Sequence, residues 1–119
     1  MLKCSSYRRL ALVITSSLLL SACGLALSDE DRLDRAAEAA AAGDHQAAMI
    51  DARDVLRRDP SNARARTLLG QSSLTVGDAA SAEKEVQRAL ELGVDSSTLH
   101  VPLVTALVMQ GTYQEALDA

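Results

Sequence analysis

Apolar residues recur at helical spacing in two segments of the chain. In the later segment they are Ala82, Val86, Ala89 and Leu90. These positions are i, i+4, i+7 and i+8, so they form one stripe of an α-helix. The same stripe occurs earlier in the chain, where it consists of Ala48, Ala52, Val55 and Leu56. The pattern predicts two equivalent amphipathic helices.

Turn-forming residues follow the same period. Three glycines are evenly spaced, at Gly43, Gly77 and Gly111, and their spacing equals the offset between the two stripes. Each can take the left-handed conformation that ends a helix. The residues directly after them, Asp44, Asp78 and Thr112, suit the N-cap of the next helix. An alanine follows each glycine at the same distance, at Ala48, Ala82 and Ala116.

The two signals together predict an all-α chain of six helical segments, with no strand pattern and no second domain. The predicted ranges are 29–42, 44–58, 63–76, 79–92, 98–110 and a short segment from Tyr113. Pro60 ends the first pair, and Ser61 or Asn62 caps the next helix. Pro102 lies where the fifth helix should already be running. Because proline disrupts a helix interior, we expect that helix to start late, near Val101, the alternative being a bend.

The N-terminal segment has a different pattern. Its only charges before Asp29 are Lys3, Arg8 and Arg9, and the residues 10–20 that follow are mainly apolar. A basic start, a short apolar middle and a small-residue end are typical of a secretory signal peptide. The alternative is an uncleaved membrane anchor, because residues 10–27 carry no charge and are just long enough to cross a bilayer as a helix.

The segment Leu20-Ser21-Ala22-Cys23 resembles the lipobox of bacterial lipoproteins, which has the pattern L-[AS]-[GA]-C. The resemblance implies that the Cys23 thiol receives a lipid and that cleavage makes Cys23 the new N-terminus. Residues 1–22 would then be the signal peptide, and residues 23–28 a lipidated tether. The other cysteine, Cys4, lies in the part removed, so we predict no disulfide.

Charge and side-chain chemistry restrict the function. The formal net charge is −4, and loss of Lys3, Arg8 and Arg9 would make it about −7, which argues against nucleic acid as a partner. His45 and His100, the two histidines, have no partners at metal-ligand spacing, so we predict no metal site. No catalytic motif is present, and we expect neither an enzyme nor a cofactor. Acidic residues 29–31 suit the positive end of the first helix.

The one basic concentration comprises Arg57, Arg58, Arg64 and Arg66. We expect these arginines to solvate the turn between the first two pairs of helices. The alternative is that they bind an acidic partner or lipid headgroups.

A fixed 34-residue period with two helices per unit resembles the tetratricopeptide repeat family across residues 29–119. The units would be 29–62, 63–96 and an incomplete 97–119, about two and a half repeats of a helix-turn-helix solenoid. At the positions that define the family, the eighth residue is Ala36, Gly70 and Val104, the twentieth is Ala48, Ala82 and Ala116, the twenty-seventh is Val55 and Ala89, and the thirty-second, often proline, is Pro60 and then Val94. The fourth, often tryptophan, departs from the family in being Arg32, Arg66 and His100.

The resemblance implies a scaffold that binds a protein or peptide on the concave face of the array. The lipobox followed by these repeats is similar, in addition, to the N-terminal part of the tetratricopeptide lipoproteins of the PEP-CTERM/exosortase system. This narrower resemblance implies an envelope scaffold with a role in exopolysaccharide or surface-protein export. Gly24, rather than an aspartate, follows Cys23, and by the sorting rule of lipoproteins this implies the periplasmic face of the outer membrane. The alternative is a pilotin-type or assembly lipoprotein of a secretion or pilus machine.

The last predicted elements are apolar, and nothing in the sequence follows to cover them. Their apolar residues are Val101, Leu103, Val104, Leu107, Val108, Ala116 and Leu117. Repeat arrays need a terminal unit with a polar outer face. We therefore expect the chain to be the front of a longer array.

Overall fold

The computed structural model describes residues 26–118. The predicted signal peptide, residues 1–22, and Cys23 lie outside the described residues. Between residues 26 and 118 the chain forms six helices and no strand, which confirms the all-α helix-turn-helix prediction. The helices are α1 (Asp29–Ala41), α2 (His45–Arg58), α3 (Ala63–Thr75), α4 (Ala79–Glu91), α5 (Ser96–Met109) and α6 (Tyr113–Asp118).

Five helices begin at a residue whose side chain accepts a hydrogen bond from a free backbone N–H. Ser28 forms a capping box with Asp31 at the start of α1. The other four caps are Asp44, Asn62, Asp78 and Asp95. Each satisfies one of the N–H groups that the first helical turn leaves unpaired.

Four helices end in the same way, at a glycine with left-handed backbone. At Gly77, where φ is +86°, the N–H donates to the Leu74 carbonyl and the Asp78 N–H donates to the Ser73 carbonyl. This pair of bonds defines the Schellman motif. The same motif is present at Gly43, Gly93 and Gly111. Gly93 was not predicted, because it lies outside the evenly spaced series.

Consecutive helices pack as antiparallel hairpins, and the hairpins stack. Helix α1 also contacts α3, and α3 contacts α5, whereas α2 and α4 do not touch. Small residues allow the close approach within the second hairpin. A Cβ atom added at Gly70 would lie 2.9 Å from Cγ2 of Val86 and 3.3 Å from its backbone nitrogen. Gly70 therefore sets the distance between α3 and α4.

Three buried apolar clusters hold the stack together. Leu33, Val55 and Ala65 form the first, and Met49, Ala52 and Leu69 form the second; both join the first hairpin to α3. Val86, Ala89 and Leu99 join the second hairpin to α5. The half-buried residues around these clusters are Leu56, Leu68, Leu90, Val94 and Leu103.

The predicted late start of the fifth helix is wrong. Helix α5 begins at Ser96, and Pro102 lies inside it. The proline removes one backbone hydrogen bond. Leu99 on one side of it, and Ala106 and Leu107 on the other, are all buried, and the continuous helix places the three of them in the core. This burial offsets the lost bond.

None of the six helices between residues 26 and 118 combines the length and the apolarity that a membrane crossing requires.

Candidate functional site

The odd-numbered helices present one continuous open side to solvent. We name this surface the odd-helix face and define it by six residues at two equivalent repeat positions: Glu30, Arg64, Thr98, Asp34, Leu68 and Pro102. Glu30, Arg64, Thr98 and Asp34 are exposed, while Leu68 and Pro102 are half-buried. Helix α1 contacts α3 and α3 contacts α5, whereas α2 and α4 do not touch. The odd-numbered helices therefore form the inner layer of the stack.

Three charged side chains join α1 to α3 on this face. Arg64 donates from Nη1 to Oε1 of Glu30 over 2.5 Å, and from Nη2 to Oδ1 of Asp34 over 2.7 Å. The hydrogen bond to Asp34 is the main cause that raises the pKa of Arg64, and attraction to Glu30 adds to it. The carboxylate side chains remain 73% and 61% exposed, so both stay open to a ligand.

A second set of ion pairs lies at the interface within each hairpin. In the first hairpin Asp51, only 6% exposed, accepts hydrogen bonds from Arg35 and lies 3.8 Å from Arg32. In the second, Glu85 is equally buried and pairs with Arg66 over 2.5 Å. Asp51 and Glu85 occupy equivalent positions of the repeat, as do Arg32 and Arg66. The fourth position of the first two units, where the family often has tryptophan, thus holds an arginine beside a buried acid.

The hydrogen bond from Arg35 is the largest influence on Asp51 and lowers its pKa. Burial opposes this effect, and attraction to Arg35 and Arg32 adds to the lowering. Asp51 is therefore held as a carboxylate, and its protonation would weaken the α1–α2 contact.

The arginines of the basic concentration flank the linker between α2 and α3, and each of them also pairs with a carboxylate. Arg58 pairs with Asp29, and Arg57 pairs with Asp54. Arg66 also donates to the Pro60 carbonyl oxygen at 3.0 Å, which fixes the linker between α2 and α3.

The acids at the start of α1 are likewise more than a solvated first turn. Asp29 pairs with Arg58 at the end of α2, and Glu30 pairs with Arg64 on α3. The first turn of α1 is therefore tied to both of the helices that pack against it.

These pairs had a signal in the sequence. An arginine at the fourth position and an acid at the twenty-third recur at the 34-residue period. Asp54 and Arg57 pair within α2, and the equivalent pair in α4 is Arg88 with Glu91, with the charges exchanged. A comparison of the charged residues at equivalent repeat positions would have predicted these ion pairs. The distance between the partners along the sequence does not indicate them.

The residues predicted to define the repeat lie at its turns and helix contacts. Ala48, Ala82 and Ala89 are fully buried, Gly70 is buried against Val86, and Ala116 is half-buried. Gly43, Gly77 and Gly111 end helices, and Pro60 is exposed in the linker. Cys23 and the lipobox residues Leu20, Ser21 and Ala22 lie outside the described residues.

The histidines and a surface depression are weaker candidates for a functional site than the odd-helix face. His45 is half-buried and His100 is exposed, and in the part of the chain that the structure describes no three potential metal ligands are grouped. A depression of about 390 Å³ is lined by Arg66, Lys84, Gln87, Arg88 and Glu91. Because two of its three cations already pair with Glu85 and Glu91, it has little charge left for a ligand.

Stacked helical hairpins with an open inner layer define a repeat scaffold. The model of the tetratricopeptide repeat family matches residues 39–107, so the chain belongs to that family. Such repeats are in general non-catalytic modules of protein interaction.

Among solved structures, a mutant of the O-GlcNAc transferase of Thermobaculum terrenum is similar to this chain, with 26% sequence identity and a TM-score of 0.69. The match covers 79% of this chain and 19% of the transferase chain. No curated protein matches.

Proposed function

We propose that this protein is a lipid-anchored scaffold that faces the periplasm and binds a protein partner on its odd-helix face. The observation that carries the binding role is the open inner layer of α1, α3 and α5, where exposed side chains stand at equivalent repeat positions on three neighbouring helices. Extended surfaces of this kind are what helical repeat proteins use for recognition.

The anchor rests on sequence. Leu20, Ser21, Ala22 and Cys23 follow a basic and then apolar lead, and only a short segment separates Cys23 from the capped start of α1 at Ser28. A single acyl chain holds a protein only marginally, so the multiple acylation of the lipoprotein pathway is part of the proposal.

The similarity to the PEP-CTERM/exosortase lipoproteins leads us to place the scaffold in exopolysaccharide or surface-protein export, on the outer membrane. Gly24 after Cys23, rather than an aspartate, favours that membrane by the sorting rule of lipoproteins.

The test is metabolic labelling with a fatty-acid analogue in the native host. Cys23→Ser should abolish labelling and leave the longer precursor, whereas Cys4→Ser should label like the wild type because that cysteine is cleaved away. Equal labelling of the Cys23→Ser variant and the wild type would rule out the anchor. In a strain that lacks the chain, the wild type should restore polysaccharide secretion better than Cys23→Ser does, and equal restoration would remove the anchor from the export role.

A further inference from the structure

The two ends of the helical hairpins are formed by different parts of the repeat. One end, which we name the turn end, comprises residues 41–48, 75–82 and 109–116, around the left-handed glycines that join the two helices of each unit. The opposite end, which we name the linker end, comprises residues 28–31, 57–66 and 88–96. Because consecutive helices are antiparallel, the start of α1 and the two linkers between units lie at the same end of the stack.

The basic side chains of the two ends all lie at the linker end. They are Arg57, Arg58, Arg64, Arg66 and Arg88, whereas the turn end holds no lysine or arginine. The linker end also holds the acids Asp29, Glu30, Asp31, Asp59, Glu91 and Asp95. The charged residues of the turn end are Asp44, Asp78 and Glu115. The linker end therefore presents charges of both signs, and the turn end presents negative charge alone.

Two arginines of the linker end have donors to spare. The side chain of Arg57 is 74% exposed and that of Arg88 is 61% exposed. Arg57 pairs through Nη2 with Asp54, and Arg88 pairs through Nη1 with Glu91 over 2.6 Å. A guanidinium group has five N–H donors in a planar fork that matches the geometry of phosphate. Both side chains can therefore bind a phosphate group and keep their carboxylate partners.

The proposed lipid anchor lies at the same end. Residues 23–27 separate Cys23 from Ser28, the N-cap of α1. A fully extended chain spans at most about 3.6 Å per residue, so Ser28 cannot lie more than about 18 Å from Cys23. Helix α1 has 13 residues and rises about 1.5 Å per residue, so the turn end lies about 20 Å beyond the linker end.

Phospholipid headgroups match the charges of the linker end. They carry phosphate, and phosphatidylethanolamine adds an ammonium group, so charges of both signs face the protein. Basic side chains near a membrane surface are attracted to its anionic lipids. Acidic groups without nearby cations, like those of the turn end, are repelled by such a surface.

We propose that the linker end lies against the phospholipid headgroups of the membrane that holds Cys23. Arg57 and Arg88 bind headgroup phosphates, and the turn end points away from the membrane. The odd-helix face runs along the sides of the helices, so in this orientation it stays open to a protein partner. This proposal rests on the lipid anchor of the proposed function.

Energy transfer to the membrane tests the orientation. The mature lipoprotein is purified from the native host and added to vesicles of phosphatidylethanolamine and phosphatidylglycerol with an acceptor dye on the headgroups. Because acylation blocks the Cys23 thiol and cleavage removes Cys4, an introduced cysteine alone takes the donor dye. The variants, all at exposed positions, are Ser61→Cys and Ser96→Cys at the linker end, and Gln46→Cys and Ala80→Cys at the turn end.

Transfer should be about twofold or more greater from position 61 than from 46, and from 96 than from 80, because each pair is separated by about 20 Å along the helix axis. The second pair decides between headgroup binding and the tether, since α5 lies two helices away from α1 on the inner layer. A difference at the first pair alone would show that the tether holds only α1 near the membrane, and would overturn the proposal.

Flotation of the vesicles separates this proposal from the proposed function. If the wild type does not float with them, the anchor is wrong and this proposal fails with it. If the wild type floats and both pairs show equal transfer, the anchor stands and this proposal alone is overturned. Since the vesicles contain no other protein, that result would assign the linker-end arginines to an acidic protein partner instead.

Variants then locate the contact. Arg57→Gln combined with Arg88→Gln should bring the ratio of transfer between positions 96 and 80 to about one, because the contacts with headgroup phosphates are lost. Arg53→Gln is the matched control, because Arg53 is an exposed arginine of α2 that lies outside the linker end. It should leave the ratio unchanged. The proposal is overturned if the double variant keeps the wild-type ratio, or if Arg53→Gln lowers the ratio as much as the double variant does.

Discussion

The two junctions between successive units use different chemistry to make the same stack. Where the first unit meets the second, an apolar cluster around Leu33 is bordered by the ion pairs that Arg64 makes with α1. Where the second meets the third, the cluster around Leu99 has no ion pair across it among residues 26–118. Its polar contact is the Gln110 amide, which donates to Glu83 over 2.7 Å.

This difference follows from the sequence, since no lysine or arginine comes after Arg88. It shows that the repeat geometry is set by the buried apolar contacts, which both junctions share. Ion pairs between partly exposed groups add little stability, because water and salt screen them. We therefore expect changes in the apolar core to have the largest effect, and changes in the ion pairs at the first junction the smallest.

The junction between the second and third units should lose the most stability when Leu99 is changed. Leu99 is fully buried against Val86 and Ala89, so Leu99→Ala should lower the free energy of unfolding by about 2–5 kcal/mol through lost burial and a cavity. Val101→Ala, two residues along the same helix and 69% exposed, is the matched control, with a change within about 0.5 kcal/mol. Chemical denaturation measures both. Similar losses in the two variants would contradict the described orientation of α5.

The next largest loss of stability should come from a change at the close contact between Gly70 and Val86 in the second unit. Gly70 and Val86 occupy the positions that Ala36 and Ala52 hold in the first unit, so a smaller residue is matched with a larger one. A methyl group at position 70 would lie 2.9 Å from Cγ2 of Val86. Gly70→Ala should therefore cost about 1–2 kcal/mol, even though alanine gains about 1 kcal/mol in helix propensity. Chemical denaturation measures the loss.

A double-mutant cycle separates this contact from general strain. Gly70→Ala with Val86→Ala should destabilise less than the sum of the single changes, by about 0.5 kcal/mol or more. Val55→Ala, which changes a residue buried in the first unit, should add to Gly70→Ala without coupling. Additivity at Val86 would show that the two residues do not limit the helix spacing.

The buried carboxylate of the first unit predicts a pH dependence. The folded-state pKa of Asp51 is lowered, so its contribution to stability is complete above its unfolded pKa of about 3.9 and is lost as pH falls through the folded value. Asp51→Asn should cost about 1–2 kcal/mol at pH 7, a figure reduced because Arg35 is half-exposed. Well below about pH 4 the wild type and the variant should converge. A constant difference from neutral to strongly acidic pH would contradict this assignment.

The sequence predicted the class of fold and most turns because periodicity and helix caps are local signals. Gly77 and Asp78 act within a few residues of each other, so their roles can be read directly from the sequence. The start of α5 was predicted wrongly because a local rule, the cost of Pro102 in a helix, is outweighed by the burial of Leu99 and Leu107, which depends on the neighbouring hairpin.

The surface was harder to predict than the core. Arg64 pairs with Glu30 on another helix, and sequence proximity groups it instead with Arg66, whose partner is Glu85. In the sequence the two arginines suggest one basic patch, whereas in the structure they pair with acids on different helices. Which acids remain open on the odd-helix face therefore depends on tertiary contacts, and only the repeat register offers a guide to them.

The smallest effect should come from the ion pairs that border the first junction. Arg64 is 40% exposed, and Arg64→Gln should lower stability by at most about 1 kcal/mol at low salt. In about 1 M salt, where the screening length is about 3 Å, the loss should nearly vanish. Lys84→Gln, which removes a cation with no ion pair among the described residues, should change stability less at either salt concentration. Thermal unfolding at the two concentrations measures the difference. If Arg64→Gln costs as much in high salt as in low salt, Arg64 stabilises the junction by packing its aliphatic part against α1, and the two junctions are more alike than their charges suggest.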